Sequence, residues 1–115
     1  MSSTFAESLV SRRCIPCRGD TPPLTAAERE ALLPQLIGWE VVHEHHLTKD
    51  YRFTNFLDAL AFANRVGALA EQEGHHPEIT ISWGLARIRV WTHAIDGLSE
   101  SDFVLAAKCD QVLNA

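Results

Sequence analysis

The sequence predicts a single α+β domain in which a four-stranded antiparallel sheet has helices packed on one face. Three observations lead to this fold class. The chain has 115 residues, a length typical of one domain. Its apolar residues recur with helical period in some segments and alternate with strand period in others. These segments follow one another in the order α-β-β-α-β-β-α, so that neighbouring strands can pair as hairpins.

The chain begins with a segment that differs in composition from the rest. Residues 1–20 are predicted to form a flexible N-terminal arm. The stretch "GDTPPL" follows, and its two prolines favour extended backbone. The folded domain is therefore predicted to span residues 21–115.

The first helix is predicted from about Ala26 to Leu33. Thr25 and Glu28 have the spacing of a capping box, and Pro34 cannot continue a helix. The next stretch, "GWEVVHEHHLTKDYRF", alternates and predicts a hairpin with a turn near residues 44–46.

The longest helix is predicted within "NFLDALAFANRVGALAEQEG". Asn55 can cap its start and Gly74 can end it. Its few polar residues form one narrow stripe, which predicts burial on most of its girth. A second hairpin follows, "EITISW" and "RIRVWTH", and a last helix begins near "LSESDF", where Ser99 and Asp102 again have capping-box spacing.

Composition and charge exclude several classes of protein. Hydrophobic residues make up 46% and charged residues 22%, as in ordinary globular domains. The net charge of -5 gives no electrostatic footprint for direct nucleic-acid binding. The first 15 residues lack the apolar core of a signal peptide, and no apolar run approaches the ~20 residues of a membrane span. We therefore expect a cytoplasmic protein.

Two of the three cysteines, Cys14 and Cys17, form a C-x-x-C pair in a loop. A zinc site needs two further ligands, and a thioredoxin-like motif needs a strand before it and a helix after it. The favoured interpretation is an inert, reduced pair, with a metal or oligomer clip and a redox pair as the alternatives.

Six histidines are the main candidates for chemistry. His75 and His76 follow the end of the long helix, and His93 ends a strand predicted to pair with the one that starts at Glu78. These three imidazoles can therefore meet around one cleft, where they could bind a metal or exchange protons near neutral pH.

Structural explanations compete with each of these functional ones. His43, His45 and His46 lie at a predicted turn and are expected to be solvated, although His43 and His45 could chelate a metal. The helix dipole favours cations at the position of His75 and His76. His93 could be an exposed strand end, and Asp102 could serve as a helix cap alone.

The residues "EQEGHHPEITISW", "VWTH" and "GLSESDF" together resemble the pterin-4a-carbinolamine dehydratase family, also called 4a-hydroxytetrahydrobiopterin dehydratases. The resemblance also includes "GW", "L-x-K-x-Y-x-F" and the "C-x-P-C" leader, and covers roughly residues 14–113. It identifies residues 21–115 as a domain of this family. It implies that the catalytic residues are His75, His76 and His93. It also implies that the residues that bind or position the substrate are Glu71, Pro77, Trp83 and Asp102.

The resemblance further implies a reaction. The substrate would be a tetrahydropterin with a hydroxyl on C4a, left by an aromatic amino acid hydroxylase as pathway partner in tetrahydrobiopterin recycling. Loss of water gives quinonoid dihydropterin and needs neither metal nor organic cofactor. His75 is then the base, His76 or His93 the acid, and Asp102 orients His93 or the substrate.

The resemblance also implies a homodimer or homotetramer. Two other functions remain open. One is a non-catalytic dimerisation or assembly partner with the same fold. The other is a metal-binding protein that uses the turn histidines with Cys14 and Cys17.

Overall fold

Seven regular elements form the domain in a computed structural model that describes residues 8–113. Residues 1–7 of the predicted arm and the last two residues of the predicted domain lie outside the described residues. The order of elements is the one predicted. The elements are α1 (Ala26–Leu32), β1 (Glu40–Val42), β2 (His46–Arg52), α2 (Phe56–Glu73), β3 (Glu78–Ser82), β4 (Leu85–Val90) and α3 (Glu100–Leu113).

The four strands form one antiparallel sheet in the order β1-β2-β4-β3, which confirms the predicted fold class. The two hairpins join through the central pair, where Leu47 lies opposite Val90 and Arg52 opposite Leu85. Alternate side chains of the central strands point toward α2 and α3 and form the core with them. That core includes Leu47, Tyr51, Ile88, Val90, Phe62, Val66, Phe103 and Leu105.

Local capping signals set the ends of the helices. In α1, Thr25 Oγ1 accepts a hydrogen bond from the Glu28 amide at 3.2 Å, and Glu28 Oε1 accepts one from the Thr25 amide at 2.8 Å. Asn55 Oδ1 accepts a bond from the Asp58 amide at the start of α2. Gly74 ends α2 with a φ of 66°, in the left-handed region that glycine enters without steric cost.

The prediction that α2 is buried on most of its girth is wrong for its first half. Phe56, Leu57 and Leu60 are 44%, 73% and 37% exposed. The sheet and α3 cover only one side of this helix. The buried positions are Ala59, Phe62, Ala63, Val66, Leu69 and Ala70.

Both hairpins differ locally from the prediction. The first turn centres on His43 and Glu44, and His46 already belongs to β2. The strand predicted to reach His93 ends at Val90. Thr92 instead forms an isolated bridge with Gly97, so the chain bends away from the sheet and His93 begins a short 3-10 turn.

Residues 8–20, part of the predicted arm, lie against the domain. Leu9 is 1% exposed and joins the core. The Cys14 amide donates to Glu73 Oε1 at 3.0 Å, and the Ile15 amide donates to Ser101 Oγ at 2.7 Å. No helix within residues 8–113 has the length and apolar character needed to cross a membrane.

Candidate active site

Three histidines line one pocket of about 230 Å³ at the end of the sheet where β3 begins and β4 ends. Gly74 turns the chain at the end of α2, so that two of these histidines precede β3 directly. Because Glu78 of β3 lies opposite Arg89 of β4, the segment after β4 returns to the same place. The pocket residues are Pro16, Cys17, Gly74, His75, His76, Trp91, Thr92, His93 and Ala94.

His75 is held by a buried carboxylate. Its Nε2 lies 2.6 Å from Oδ1 of Asp102, whose side chain is 0% exposed. The other carboxylate oxygen accepts bonds from Thr92 Oγ1 and the Ser99 amide, each at 2.8 Å. Since an ionised carboxylate only accepts hydrogen bonds, Nε2 of His75 is the donor in this contact, and in the neutral imidazole Nδ1 then keeps a lone pair. This arrangement suits the imidazole to accept a proton.

Asp102 contacts a different histidine from the one expected. The prediction is that it orients His93 or the substrate, and in the structure its carboxylate bonds His75. Asp102 is fully buried and is not among the residues that line the pocket. It does cap α3, since its carboxylate accepts the Ser99 amide. The Ser99 hydroxyl, by contrast, pairs with Thr92 Oγ1 at 2.7 Å instead of bonding the helix.

His76 pairs with Glu71, which the resemblance gives as a substrate-binding or positioning residue. Its Nε2 lies 2.6 Å from Glu71 Oε2, and the two side chains are 57% and 80% exposed. Pro77 follows directly and restricts His76 to extended backbone. Pro77 itself is not among the pocket residues.

His93 has the freest imidazole of the three. Within residues 8–113, neither of its ring nitrogens has a hydrogen-bond partner, and the residue is exposed. Its ring packs against Trp91 with a centroid distance of 4.7 Å. Both ring nitrogens are therefore available to a ligand in the pocket.

Trp83, which is predicted to bind or position the substrate, is not among the residues that line the pocket. It follows β3 in the hairpin turn at the far end of the sheet and is 72% exposed. The tryptophan that does line the pocket is Trp91, which follows β4.

A larger concavity of about 470 Å³ lies on the open face of the sheet. Its arginines are already paired, Arg87 with Asp50 at 2.7 Å and Arg89 with Glu78 at 3.4 Å. It contains His46, whose pKa is lowered first by burial and then by the charge of Arg89. None of the three clustered histidines lines it, so we place the candidate site in the smaller pocket.

The described part of the chain contains no group of three or more His, Cys, Asp or Glu side chains placed to hold a metal ion. Cys14 and Cys17 are free thiols. Burial raises the pKa of the Cys14 thiol to about 12, and the nearby Glu73 carboxylate contributes to this rise. A thiol with so high a pKa is a poor nucleophile and a poor metal ligand at neutral pH.

A family model described as "Pterin 4 alpha carbinolamine dehydratase" matches residues 22–112. The chain belongs to this family.

Relatives within the family are similar over most of this chain. A protein of Rubrobacter xylanophilus, provisionally named a pterin-4-alpha-carbinolamine dehydratase, is 58% identical over 104 residues, which are 90% of this chain and 97% of that protein. A Rickettsia bellii protein with the same provisional name is 51% identical over 96% of this chain and 99% of its own. A crystal structure of a "transcriptional coactivator/pterin dehydratase" from Brucella melitensis has a TM-score of 0.74 at 28% identity, over 78% of this chain and 97% of that one.

Reasoning from the sequence missed six residues that line the pocket, namely Pro16, Cys17, Gly74, Trp91, Thr92 and Ala94. Pro16 and Cys17 come from the segment predicted as an arm, and the family match starts after them, at residue 22. Trp91 and Thr92 belong to the quoted "VWTH" stretch, where only the histidine was assigned to the site. The C-x-P-C leader was the one sequence signal for the first pair.

Proposed function

We propose that the protein dehydrates 4a-hydroxytetrahydropterin, the 4a-carbinolamine, to quinonoid dihydropterin and water by histidine acid–base catalysis. The observation that carries the proposal is the convergence of His75, His76 and His93 on one pocket, with a buried carboxylate behind the first. Membership of the pterin 4 alpha carbinolamine dehydratase family and the names of the relatives support the same reaction.

The proposed reaction needs one proton donor and one proton acceptor. The acid protonates the C4a hydroxyl, the C4a–O bond breaks, and water leaves. The base removes the proton from N5, and the electron pair of that N–H bond forms the C4a=N5 double bond. Oxidation state does not change in these steps. Imidazoles suit both roles because their pKa of about 6.5 populates both protonation states near neutral pH.

We assign the base to His75. The Asp102 carboxylate holds its Nε2–H, leaves Nδ1 as the acceptor, and stabilises the imidazolium that forms. His76 and His93 are the two candidates for the acid. The imidazole of His76 is paired with Glu71, whereas neither ring nitrogen of His93 has a partner within residues 8–113, so that His93 can bind the hydroxyl directly.

The test is a dehydration assay that follows quinonoid dihydropterin formed from freshly generated 4a-carbinolamine. We expect His75→Ala and His93→Ala each to lower kcat by about 10²–10⁴-fold, the usual worth of a general acid or base. His43→Asn is the matched control, because it alters a histidine that is exposed and outside the pocket. Wild-type kcat in both pocket variants, with the fold intact, would refute the proposal.

We also propose a homo-oligomer, either a dimer or a tetramer. Exposed apolar side chains on the first half of α2, chiefly Leu57 at 73%, support it because water-exposed apolar clusters commonly mark contacts between subunits. Light scattering after size exclusion measures the state directly. We expect Leu57→Glu to reduce the mass toward that of one chain, and an unchanged mass would exclude this face.

The proposed role in tetrahydrobiopterin recycling makes an aromatic amino acid hydroxylase the source of the substrate. A cytoplasmic location is part of the proposal, supported by three free cysteines, as is usual in a reducing compartment. The name of the Brucella protein includes a coactivator role, which keeps a non-catalytic partner function as the second candidate. A protein that binds partners but lacks dehydratase activity would favour that candidate.

A further inference from the structure

Left-handed backbone at non-glycine residues is confined to two short turns in residues 8–113. His43 and Glu44, at the centre of the β1–β2 turn, have φ angles of 52° and 55°, and Asp96 has a φ of 49°. Each such residue costs roughly 1–2 kcal/mol relative to ordinary backbone. Asp96 directly follows the 3-10 turn His93–Ile95, so one of the strained turns carries a pocket histidine.

The two strained turns touch through one hydrogen bond. His45, which follows Glu44, places Nε2 at 2.7 Å from Asp96 Oδ1. The side chains are 31% and 87% exposed, and a pair as exposed as this typically contributes about 0–1 kcal/mol to stability. The contact between His45 and Asp96 therefore contributes little to stability.

The ring of His45 is held by contacts at both nitrogens and by packing against Trp91. Its Nδ1 lies 3.1 Å from Nδ1 of His46, whose pKa is lowered first by burial. One face of His45 packs on Trp91 with a centroid distance of 5.1 Å, and Trp91 packs on His93 at 4.7 Å. A continuous row of rings thus leads from the β1–β2 turn to the pocket. The hydrogen bond between His45 and Asp96 fixes the C-terminal end of the 3-10 turn that begins at His93.

We propose that His45 is a positioning residue for His93. It binds Asp96 and supports Trp91, and together these contacts fix the direction in which the imidazole of His93 enters the pocket. The inference rests on the proposed function, since it assigns His93 a catalytic role. Loss of orientation by about 1 Å can cost on the order of 10²-fold in rate, so a contact of little value for stability can matter for turnover.

Three variants separate the parts of this arrangement. His45→Phe keeps a ring beside Trp91 and loses both hydrogen bonds. Asp96→Gly keeps the left-handed backbone and loses the carboxylate, and Asp96→Asn restores an acceptor oxygen. His43→Asn is the control for the turn itself, because asparagine tolerates left-handed backbone.

We expect His45→Phe and Asp96→Gly each to lower kcat by about 5- to 50-fold, with KM within about twofold, because substrate contacts stay in place. Asp96→Asn should recover most of the turnover lost in Asp96→Gly. His43→Asn should retain wild-type kcat. In proton NMR, the ring signals of His93 should move in His45→Phe, because the ring current of Trp91 acts from a new position. Wild-type kcat in both His45→Phe and Asp96→Gly would overturn the proposal.

A double-mutant cycle shows whether His45 acts through His93. In the His93→Ala background, His45→Phe should cause no further loss of kcat. A loss as large as in the wild-type background would mean that His45 acts elsewhere, which overturns the inference while leaving the proposed function intact. Full activity of His93→Ala alone would instead remove the catalytic role on which both proposals stand.

Discussion

Replacement of Asp102 by asparagine tests the most specific contact in the pocket. In the wild type, Oδ1 faces His75 Nε2 at 2.6 Å, while Oδ2 accepts two donors, from Thr92 and the Ser99 amide. Asparagine has the same shape but only one acceptor oxygen. Two donors on one side hold that oxygen there, so the amide NH2 group turns toward His75. Nε2 must then accept a hydrogen bond, and the proton moves to Nδ1, where the base is needed.

The expected losses differ for catalysis and for stability. A charged hydrogen bond is worth roughly 1.5–3 kcal/mol, which corresponds to about 10- to 100-fold in rate. The wrong tautomer of His75 adds to this, so we expect kcat to fall by about 10²–10⁴-fold. KM should change little because the buried carboxylate does not touch the substrate. The free energy of unfolding should fall by no more than about 1–3 kcal/mol, since the side chain keeps its volume.

The assay is the rate of carbinolamine dehydration, measured beside thermal unfolding by circular dichroism. Asp110→Asn is the matched control in the same helix. The carboxylate of Asp110 accepts bonds from Trp39, Lys49 and Tyr51, and none of these residues lines the pocket. Its replacement should reduce stability and leave kcat unchanged. A folded Asp102→Asn with wild-type kcat would contradict the reasoning, as would an equal loss in both variants.

Three further predictions concern the pocket wall, a buried thiol and a helix end. Cys17 lines the pocket, so alkylation by iodoacetamide should abolish dehydration, and Cys17→Ser should resist the reagent; equal inhibition of both would place the effect elsewhere. Burial raises the pKa of Cys109 from 9.0 to about 12, so the thiol ionises first in the unfolded chain. Its contribution to the free energy of unfolding should therefore fall between those pH values by about 1.4 kcal/mol per pH unit. In urea unfolding, Cys109→Ala should lack this part of the fall of the free energy of unfolding with pH. The same pH dependence in the variant and the wild type would contradict the prediction. Gly74→Ala should lower stability by about 1 kcal/mol, because alanine is strained at a φ of 66°, and an unchanged melting temperature would disprove this cost.

Features that depend on neighbouring residues were predictable from the sequence. The capping box of Thr25 and Glu28 and the terminal Gly74 form in the structure as their spacing indicates. Each depends on hydrogen bonds or backbone freedom within one turn of helix, so no distant part of the chain can change the outcome. The strand alternation likewise gave the sheet, because each strand buries one face against the helices.

Features that depend on distant contacts were not predictable. The strand β4 ends at Val90 because Thr92 bonds Gly97, and nothing in the alternation of "RIRVWTH" marks that end. Residues 8–20 lie against the domain through contacts with Glu73 and Ser101, which are about 60 and 90 residues away in the sequence. The sequence of residues 8–20 has no local pattern that predicts contacts with such distant residues.

Helix capping and contact with an imidazole do not compete at Asp102, although the imidazole is that of His75 and not the predicted His93. Its carboxylate has two oxygens, and the structure uses one for the start of α3 and the other for His75. Because the Ser99 amide holds one oxygen of the Asp102 carboxylate, the side chain is restrained from rotating, and its contact with the imidazole of His75 is rigid. The helix end at Gly74 has a similar effect, because the turn that ends α2 determines the positions of His75 and His76. In this site, the signals that end and begin helices are also the signals that place the proposed catalytic groups.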